Sequence, residues 1–300
     1  MPELPEVETV RRGIERFVVG RRIDDVEVGR ERSVRRTSRQ AVIDGLTGAT
    51  ILRAERRGKY LLNPLDTGDT LMIHLRMTGQ LLLGEPGAER PAHTHVAMRL
   101  AADPERCLES AELWFVDART FGEVVVFDPD FVGTELPEVA SLGIDPLVDD
   151  PSVDDIAAVL RRRNMRIKPL LLDQHVIAGI GNIYADEILH RARVHPDTAA
   201  SALRRKDFVL LHSAMLSILT AAIRAGGSTL KDARYVDMMG EGGSYQDVHR
   251  VYGRAGERCL TCGRGVIRRA PFGGRSTHFC PVCQRERHRG PSPARGRVTR

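Results

Sequence analysis

Residues 49–77, ATILRAERRGKYLLNPLDTGDTLMIHLRM, decide how the amino-terminal half folds. ATILRAE (49–55), KYLLNPL (59–65) and TLMIHLRM (70–77) are short apolar runs, and DTGD (66–69) is a turn signal between two of them. Apolar runs of this length between turn residues are strands rather than helices. The pattern continues through HVAMRLA (95–101), ELWFVDA (112–118) and EVVVFD (123–128), with a further turn at GEPG (84–87). From about residue 23 to 128 the sequence therefore predicts an antiparallel, all-β arrangement, a sandwich.

Towards the amino end the period changes. Val7, Val10, Ile14 and Phe17 recur at helical spacing, Pro5 suits a first turn and Gly20 a stop, so 3–17 is predicted helical. Towards the carboxyl end, Pro, Gly and Asp crowd 129–150, which reads as a linker. Helical periodicity returns over 151–225, and 226–250 is Gly-rich and weakly patterned, a mobile loop by expectation. The domain reading is 1–133, a hinge over 134–150, a helical unit over 151–250, a cysteine module over 251–285 and a tail over 286–300. The fold class is multi-domain α+β.

The cysteine module is Cys259-x2-Cys262-x17-Cys280-x2-Cys283. Each CxxC turn converges two thiolates on one ion, and four thiolates complete a tetrahedral zinc site with no position left for water. The expected cofactor is one structural Zn2+; a pair of disulfides is the competing reading, disfavoured in a reducing compartment. GVIRR and STHFC flank the turn PFGGR, which predicts a β-hairpin zinc finger with Arg275 near its tip. Cys107 is left over and reads as a small buried hydrophobe.

Composition bounds the rest. With 300 residues, 42% hydrophobic and 28% charged, the chain is of globular type. It has no run of 18 apolar residues and no apolar segment after its acidic start, which argues against a membrane span and a secretory signal. A cytoplasmic setting follows from the cysteine usage. The net charge is +5, but residues 250–300 hold 13 Arg against Glu257 and Glu286, a block that points to nucleic acid.

The chain opens Met1-Pro2-Glu3. Removing Met1 would expose a prolyl secondary amine, with a pKa near ~8 and a helix dipole disfavouring its ammonium. Such an amine attacks carbonyl-like carbon and gives a cationic iminium, and Glu3 or Glu6 could move protons. Taken alone, the segment reads as an ordinary helix start in preference to a nucleophile.

Together MPELPEVE (1–8), RRGKYLL (56–62), HLRMTGQL (74–81), GIGNIYADE (179–187), VYGR (251–254) and GRSTHFCPVC (274–283) resemble formamidopyrimidine-DNA glycosylase, the bacterial base-excision enzyme for oxidised purines and an AP lyase. The resemblance runs to about residue 285, in the family's motif order. It implies a helical helix–two-turn–helix domain around GIGNIYADE, Pro2 as Schiff-base nucleophile and Glu3 as catalytic acid. It implies Lys59 for β-elimination and Arg275 for δ-elimination, with Glu6 as a possible proton relay. Of 45 basic residues only four are Lys, so a Lys at 59 favours a role an always-charged Arg cannot fill.

His74, His93, Arg119, Arg163, Lys168 and Asn182 fall on DNA-contact positions of the family. Met77, Arg119 and Phe121 fall on the trio that fills the space left by an extruded base. The motif DARTFG (117–122) departs from the family's pattern at Ala118 and Thr120, losing one basic contact. The loop 231–246 is too variable for residue-by-residue transfer. Damaged double-stranded DNA is the implied partner, acted on by a monomer without a membrane, in the bacterial cytoplasm at the nucleoid. Two other readings compete: an endonuclease VIII-type enzyme for oxidised pyrimidines, which usually has Gly where Leu4 stands, and a noncatalytic zinc-containing DNA-binding protein.

Overall fold

The computed structural model describes residues 1–163, 165–230 and 235–286. Helix α1 spans Leu4–Phe17 and is followed by β1 (Ile23–Val28) and α2 (Arg39–Leu46). Then come β2 (Glu55–Arg57), β3 (Tyr60–Pro64), β4 (Thr70–His74), β5 (Gly79–Gly84), β6 (Thr94–Leu100), β7 (Ala111–Asp117) and β8 (Glu123–Phe127). They form two antiparallel four-stranded sheets, in the orders β1-β6-β7-β5 and β2-β3-β4-β8, around one apolar core that also takes Val7, Val10 and Ile14 of α1.

Three local expectations fail here. ATILRAE is not one strand: Thr50 and Ile51 make only isolated bridges, and pairing starts at Glu55. Residues 39–46, inside the predicted all-β region, are helix α2, because Ser38 caps it by accepting from Ala41 N–H at 3.0 Å and Val42 and Leu46 supply a buried face. Cys107 is exposed rather than buried, at φ 54° in a tight turn.

The 129–150 segment contains two short helices, α3 (Val132–Glu135) and α4 (Pro137–Ala140). Beyond them Asp145, fully buried, accepts from Arg56 at 2.5 Å and from Gly58 N–H at 2.8 Å. The linker is thereby bonded to the turn that carries Lys59. Removing one partner of a buried pair leaves the other charge uncompensated, so Asp145→Ala is expected to lower stability by about 3–5 kcal/mol. A chemical-denaturation midpoint indistinguishable from that of the parent would contradict this.

The second core belongs to α5 (Val153–Arg161), α6 (Ile167–Leu172), α7 (Asn182–Arg191) and α8 (Arg205–Arg224). By length and composition α8 could cross a membrane, its apolar residues being interrupted by His, Ser and Thr; its Phe208, Leu211, Met215, Ile218 and Leu219 instead pack inside this core. Residues 226–250 are anchored where they are described, with Tyr235, Met238 and Tyr245 buried. The hairpin of β9 (Arg268–Phe272) and β10 (Arg275–Phe279) turns at Gly273 and Gly274, both at positive φ. The basic tail from 287 lies outside the described residues.

One residue places the site. Leu4 belongs to the helical core, whereas Val7, Val10 and Ile14 of the same helix belong to the sandwich. The chain's amino end is thus pinned at the junction of the two units, with Leu4 N–H donating to Gly179 carbonyl oxygen at 3.0 Å.

Candidate active site and nucleic-acid interface

At that junction two helix starts meet. The Glu3 carboxylate caps α7 by accepting from the N–H groups of Gly181 (2.8 Å), Ile183 (3.0 Å) and Tyr184 (3.4 Å). A helix N-terminus presents free N–H groups, and a carboxylate satisfies them. The glycines of GIG are required by the fit: a Cβ on Gly181 would lie 2.3 Å from the Glu3 carboxyl carbon, and Gly179, at φ 92°, would strike Leu4 at 2.6 Å.

Lys59 enters from the β2–β3 turn, where its Nζ donates to Ile180 carbonyl oxygen at 3.1 Å. Glu3 and Lys59 are both buried. Burial raises the Glu3 pKa against the opposing charge of Lys59, and burial lowers that of Lys59 against Glu3 and Glu6. Burial likewise lowers the pKa of the Met1 amine, one residue ahead of Pro2. A buried carboxyl with a raised pKa beside a buried lysine with a lowered one is an arrangement suited to acid–base and covalent chemistry.

Glu6 closes the cluster from one turn along α1. Its Oε2 accepts from Glu3 N–H at 2.8 Å, and its Oε1 accepts from the Tyr184 hydroxyl at 2.5 Å and Ser228 N–H at 2.7 Å. Burial, with Glu3 adding, pushes its pKa up to about 7.

The hairpin docks on the same helix. Asp186 of α7 accepts from His278 N–H at 2.7 Å and pairs with Lys168 Nζ at 2.6 Å. Lys168 also donates to Ser276 carbonyl oxygen (3.1 Å) and Thr277 Oγ1 (2.7 Å), and Asn182 Nδ2 donates to the same Ser276 oxygen at 3.0 Å. Ser276 adjoins Arg275, whose charge reaches both Lys59 and Lys168. The expectation that Lys168 touches DNA needs correction: its side chain is fully buried and its ammonium is spent on Asp186 and β10. It is a strut for the hairpin. Glu187 similarly accepts from Arg250, Val251 and Tyr252 N–H, which fixes VYGR on α7.

The four cysteine sulfurs lie within 4.8 Å of one another, with Cys259–Cys283 at 3.9 Å and Cys262–Cys280 at 3.8 Å. Disulfides need about 2.05 Å. Sulfurs bound about 2.3 Å from one tetrahedral ion stand about 3.8 Å apart. The cluster is a metal site by geometry.

A separate edge carries the apolar trio. Met77 is exposed, and the Arg119 guanidinium stacks on the Phe121 ring at 4.7 Å. Fully buried Asp117 accepts from Arg119 N–H (3.1 Å), Phe121 N–H (2.8 Å), Gly122 N–H (2.7 Å) and the Thr78 hydroxyl. It holds both loops and lets Thr120 sit at φ 52°.

His74 stacks on Tyr60 at 4.1 Å and is held neutral by burial, its buried Nδ1 without a partner among the described residues. His93 is exposed at φ 69°, and Arg163 is exposed but paired with Asp173 at 3.1 Å. Sequence reading missed Tyr184, Asp186 and Asp117. Asp186 stands in the GIGNIYADE motif and Asp117 opens DARTFG, so both were within reach.

The described geometry has close counterparts. Residues 1–124 match the formamidopyrimidine-DNA glycosylase N-terminal domain, and residues 142–234 match the formamidopyrimidine-DNA glycosylase H2TH domain. The formamidopyrimidine-DNA glycosylase of Salinispora arenicola is 45% identical over 287 residues, covering 95% of this chain and 96% of the relative. That of Nocardioides sp. is 45% identical over 304 residues, covering 99% and 97%. Among solved structures, Lactococcus lactis Fpg in complex with DNA containing an abasic site superposes with a TM-score of 0.84 at 38% identity, over 95% of this chain and 100% of that one.

Proposed function

The chain belongs to the formamidopyrimidine-DNA glycosylase family, and from that premise we propose that its terminal amine, borne by Pro2 once Met1 is removed, is the nucleophile in the excision of oxidised purines from duplex DNA. The protein is a base excision repair DNA glycosylase with AP lyase activity. The convergence of buried Pro2, Glu3, Glu6 and Lys59 at the start of α7 supports the residue assignment.

Chemistry on a base requires its extrusion from the stack. Phe121 and Met77 fill the space left, and Arg119 addresses the unpaired partner base. The Pro2 nitrogen attacks C1′; the glycosidic bond breaks towards the base, which leaves with the bonding pair and a proton from Glu3. The attacking nitrogen gives its proton to Glu6, which passes it to O4′ as the C1′–O4′ bond breaks, and the nitrogen lone pair forms the iminium. Lys59 removes the C2′ proton, and the 3′ phosphate departs with its bonding pair. A second elimination expels the 5′ phosphate, with Arg275 assisting. Water releases the sugar remnant and regenerates the amine.

Asn182, His74, His93 and Arg163 serve the phosphate backbone, and Lys168 serves it indirectly through β10. Cys259, Cys262, Cys280 and Cys283 would hold a zinc ion, which would brace the hairpin and, with four ligands filled, supply no chemistry.

Borohydride trapping tests the assignment. A duplex carrying 8-oxoguanine opposite cytosine is expected to give a reduced covalent complex, and its tryptic adduct is expected on the peptide beginning at Pro2. An adduct on the Lys59 peptide would overturn the nucleophile. Trapping only on an oxidised pyrimidine would overturn the substrate class.

A further inference from the structure

Every backbone N–H from Arg119 to Gly122 donates to Asp117, the last residue of β7. Its Oδ1 accepts from Arg119 (3.1 Å), its Oδ2 from Phe121 (2.8 Å) and Gly122 (2.7 Å), and its carbonyl oxygen from Thr120 (3.2 Å). Oδ1 also accepts from the hydroxyl of Thr78, next to Met77 in the turn that Gly79 N–H closes on Leu75 carbonyl oxygen at 2.9 Å. The backbone of Asp117 takes hold of a third segment: its N–H donates to His93 carbonyl oxygen at 3.0 Å, and its carbonyl oxygen accepts from His95 Nε2 at 2.7 Å. Gly122 closes against a fourth, since a Cβ there would lie 3.1 Å from His74 carbonyl oxygen.

Fully buried Asp117 thus joins the segments bearing His74, Met77, His93 and the Arg119–Phe121 pair, although the loop tips at Met77, Ala118 and Arg119 are exposed. A second tie runs along the rim. There Glu123 pairs with Arg35 and, at 3.1 Å, with Arg76, and Arg35 reaches Phe121 carbonyl oxygen at 3.2 Å. Those two arginine side chains are 38% and 37% exposed, and long exposed side chains hold geometry weakly. Asp117 holds the backbone itself. Without its carboxylate, the Arg119 and Phe121 N–H groups turn to water and the loop is free to take other conformations.

We propose that Asp117 is a positioning residue that presets Met77, Arg119 and Phe121 as one unit for drawing a paired base out of the duplex, with no part in bond breaking. This rests on the placing of those three side chains in the space the base vacates. A wedge has to enter as the base leaves. A loop that must order itself at that moment adds its ordering cost to the barrier. Where the base is already unpaired, extrusion costs less and Arg119 has no partner base to address, so the demand on the loop falls.

The two carboxylate oxygens and Thr78 grade the effect. Asp117→Ala removes every side-chain tie. Asp117→Asn keeps one oxygen, and its NH2 faces the donors of the other. Thr78→Val removes only the tie to the Met77 turn and leaves the three backbone donors in place.

The test is single-turnover excision of 8-oxoguanine by the full-length, metal-loaded protein, from one duplex with cytosine opposite the lesion and one with a tetrahydrofuran spacer there. Asp117→Ala is expected to be about a hundredfold slower on the cytosine duplex, the usual cost of misplacing a site by about 1 Å, and far less affected on the spacer duplex. Asp117→Asn is expected to lie between Ala and the parent, and Thr78→Val to show the same bias more weakly. Equal losses on the two duplexes would place Asp117 in the fold alone and overturn the proposal, as would no loss on either. Phe121→Ala is the reference for a missing wedge. A bias against the cytosine duplex in Phe121→Ala but not in the Asp117 variants overturns the proposal and leaves the wedge standing. No bias in Phe121→Ala overturns the wedge and the proposal with it. Should Asp117→Ala fail to fold, Asp117→Asn and Thr78→Val decide.

Discussion

Glu3→Gln is expected to slow release of the damaged base by about 10²–10⁴-fold, the usual contribution of a positioned acid, while strand cleavage at a preformed abasic site falls far less. The split follows from what each reaction needs. Base departure needs a proton at the leaving nitrogen. An abasic sugar offers its aldehyde directly, so the amine attacks with no base to expel. Burial raises the Glu3 pKa, which keeps the acid form available at higher pH than an exposed glutamate would allow. The substitution also disturbs the cap: Glu3 Oε2 accepts from Gly181 and Tyr184 and Oε1 from Ile183. An amide NH2 at either position faces N–H donors and leaves them short of an acceptor, at a cost of about 1–3 kcal/mol. Excision and abasic-site cleavage assayed on the same preparation, beside a melting curve, separate the effects. Equal loss of both activities would mean that Glu3 acts through the fold alone.

How much of this was legible beforehand depends on which interactions are local. Helix 3–17 and the later strands were readable because their apolar periods are set by near neighbours. The cysteine spacing likewise declares its geometry, since each CxxC turn is self-contained. Helix α2 was missed because its signal is one capping serine and two buried residues inside a region of strands. Lys168 was misread for a different reason. A motif places a residue near DNA but does not say which way its side chain turns, and here Asp186, eighteen positions away, turns it inward. Tyr184 and Ser228 were invisible as partners of Glu6 because their contacts with it span distant parts of the chain. What position in sequence cannot convey is the partner.

Removing the metal with a chelator is expected to weaken binding to a lesion-containing duplex by about a hundredfold or more, with readdition of zinc restoring it, because small metal modules draw their folding free energy from the ion. The module has little other core: its buried apolar members are Val251, Ile267 and Phe279 beside Cys259 and Cys280. Strand β9 is largely exposed, so the hairpin depends on the cysteine cluster and on Lys168, Asn182 and Asp186 at β10. Without the ion nothing ties the four sulfurs, within 4.8 Å of one another, together, and the hairpin that aims Arg275 is released. The loss should propagate inward. Lys168 would keep Asp186 but lose Ser276 and Thr277, leaving a buried ammonium under-bonded. The sandwich core shares no residue with the module, so its unfolding transition should persist in the metal-free protein. Fluorescence anisotropy with labelled duplex, read against metal content, measures the first effect, and calorimetry measures the second. Unchanged affinity in a preparation shown to be metal-free would detach Arg275 from the role given to it here, since the hairpin would then be holding its tip without the ion.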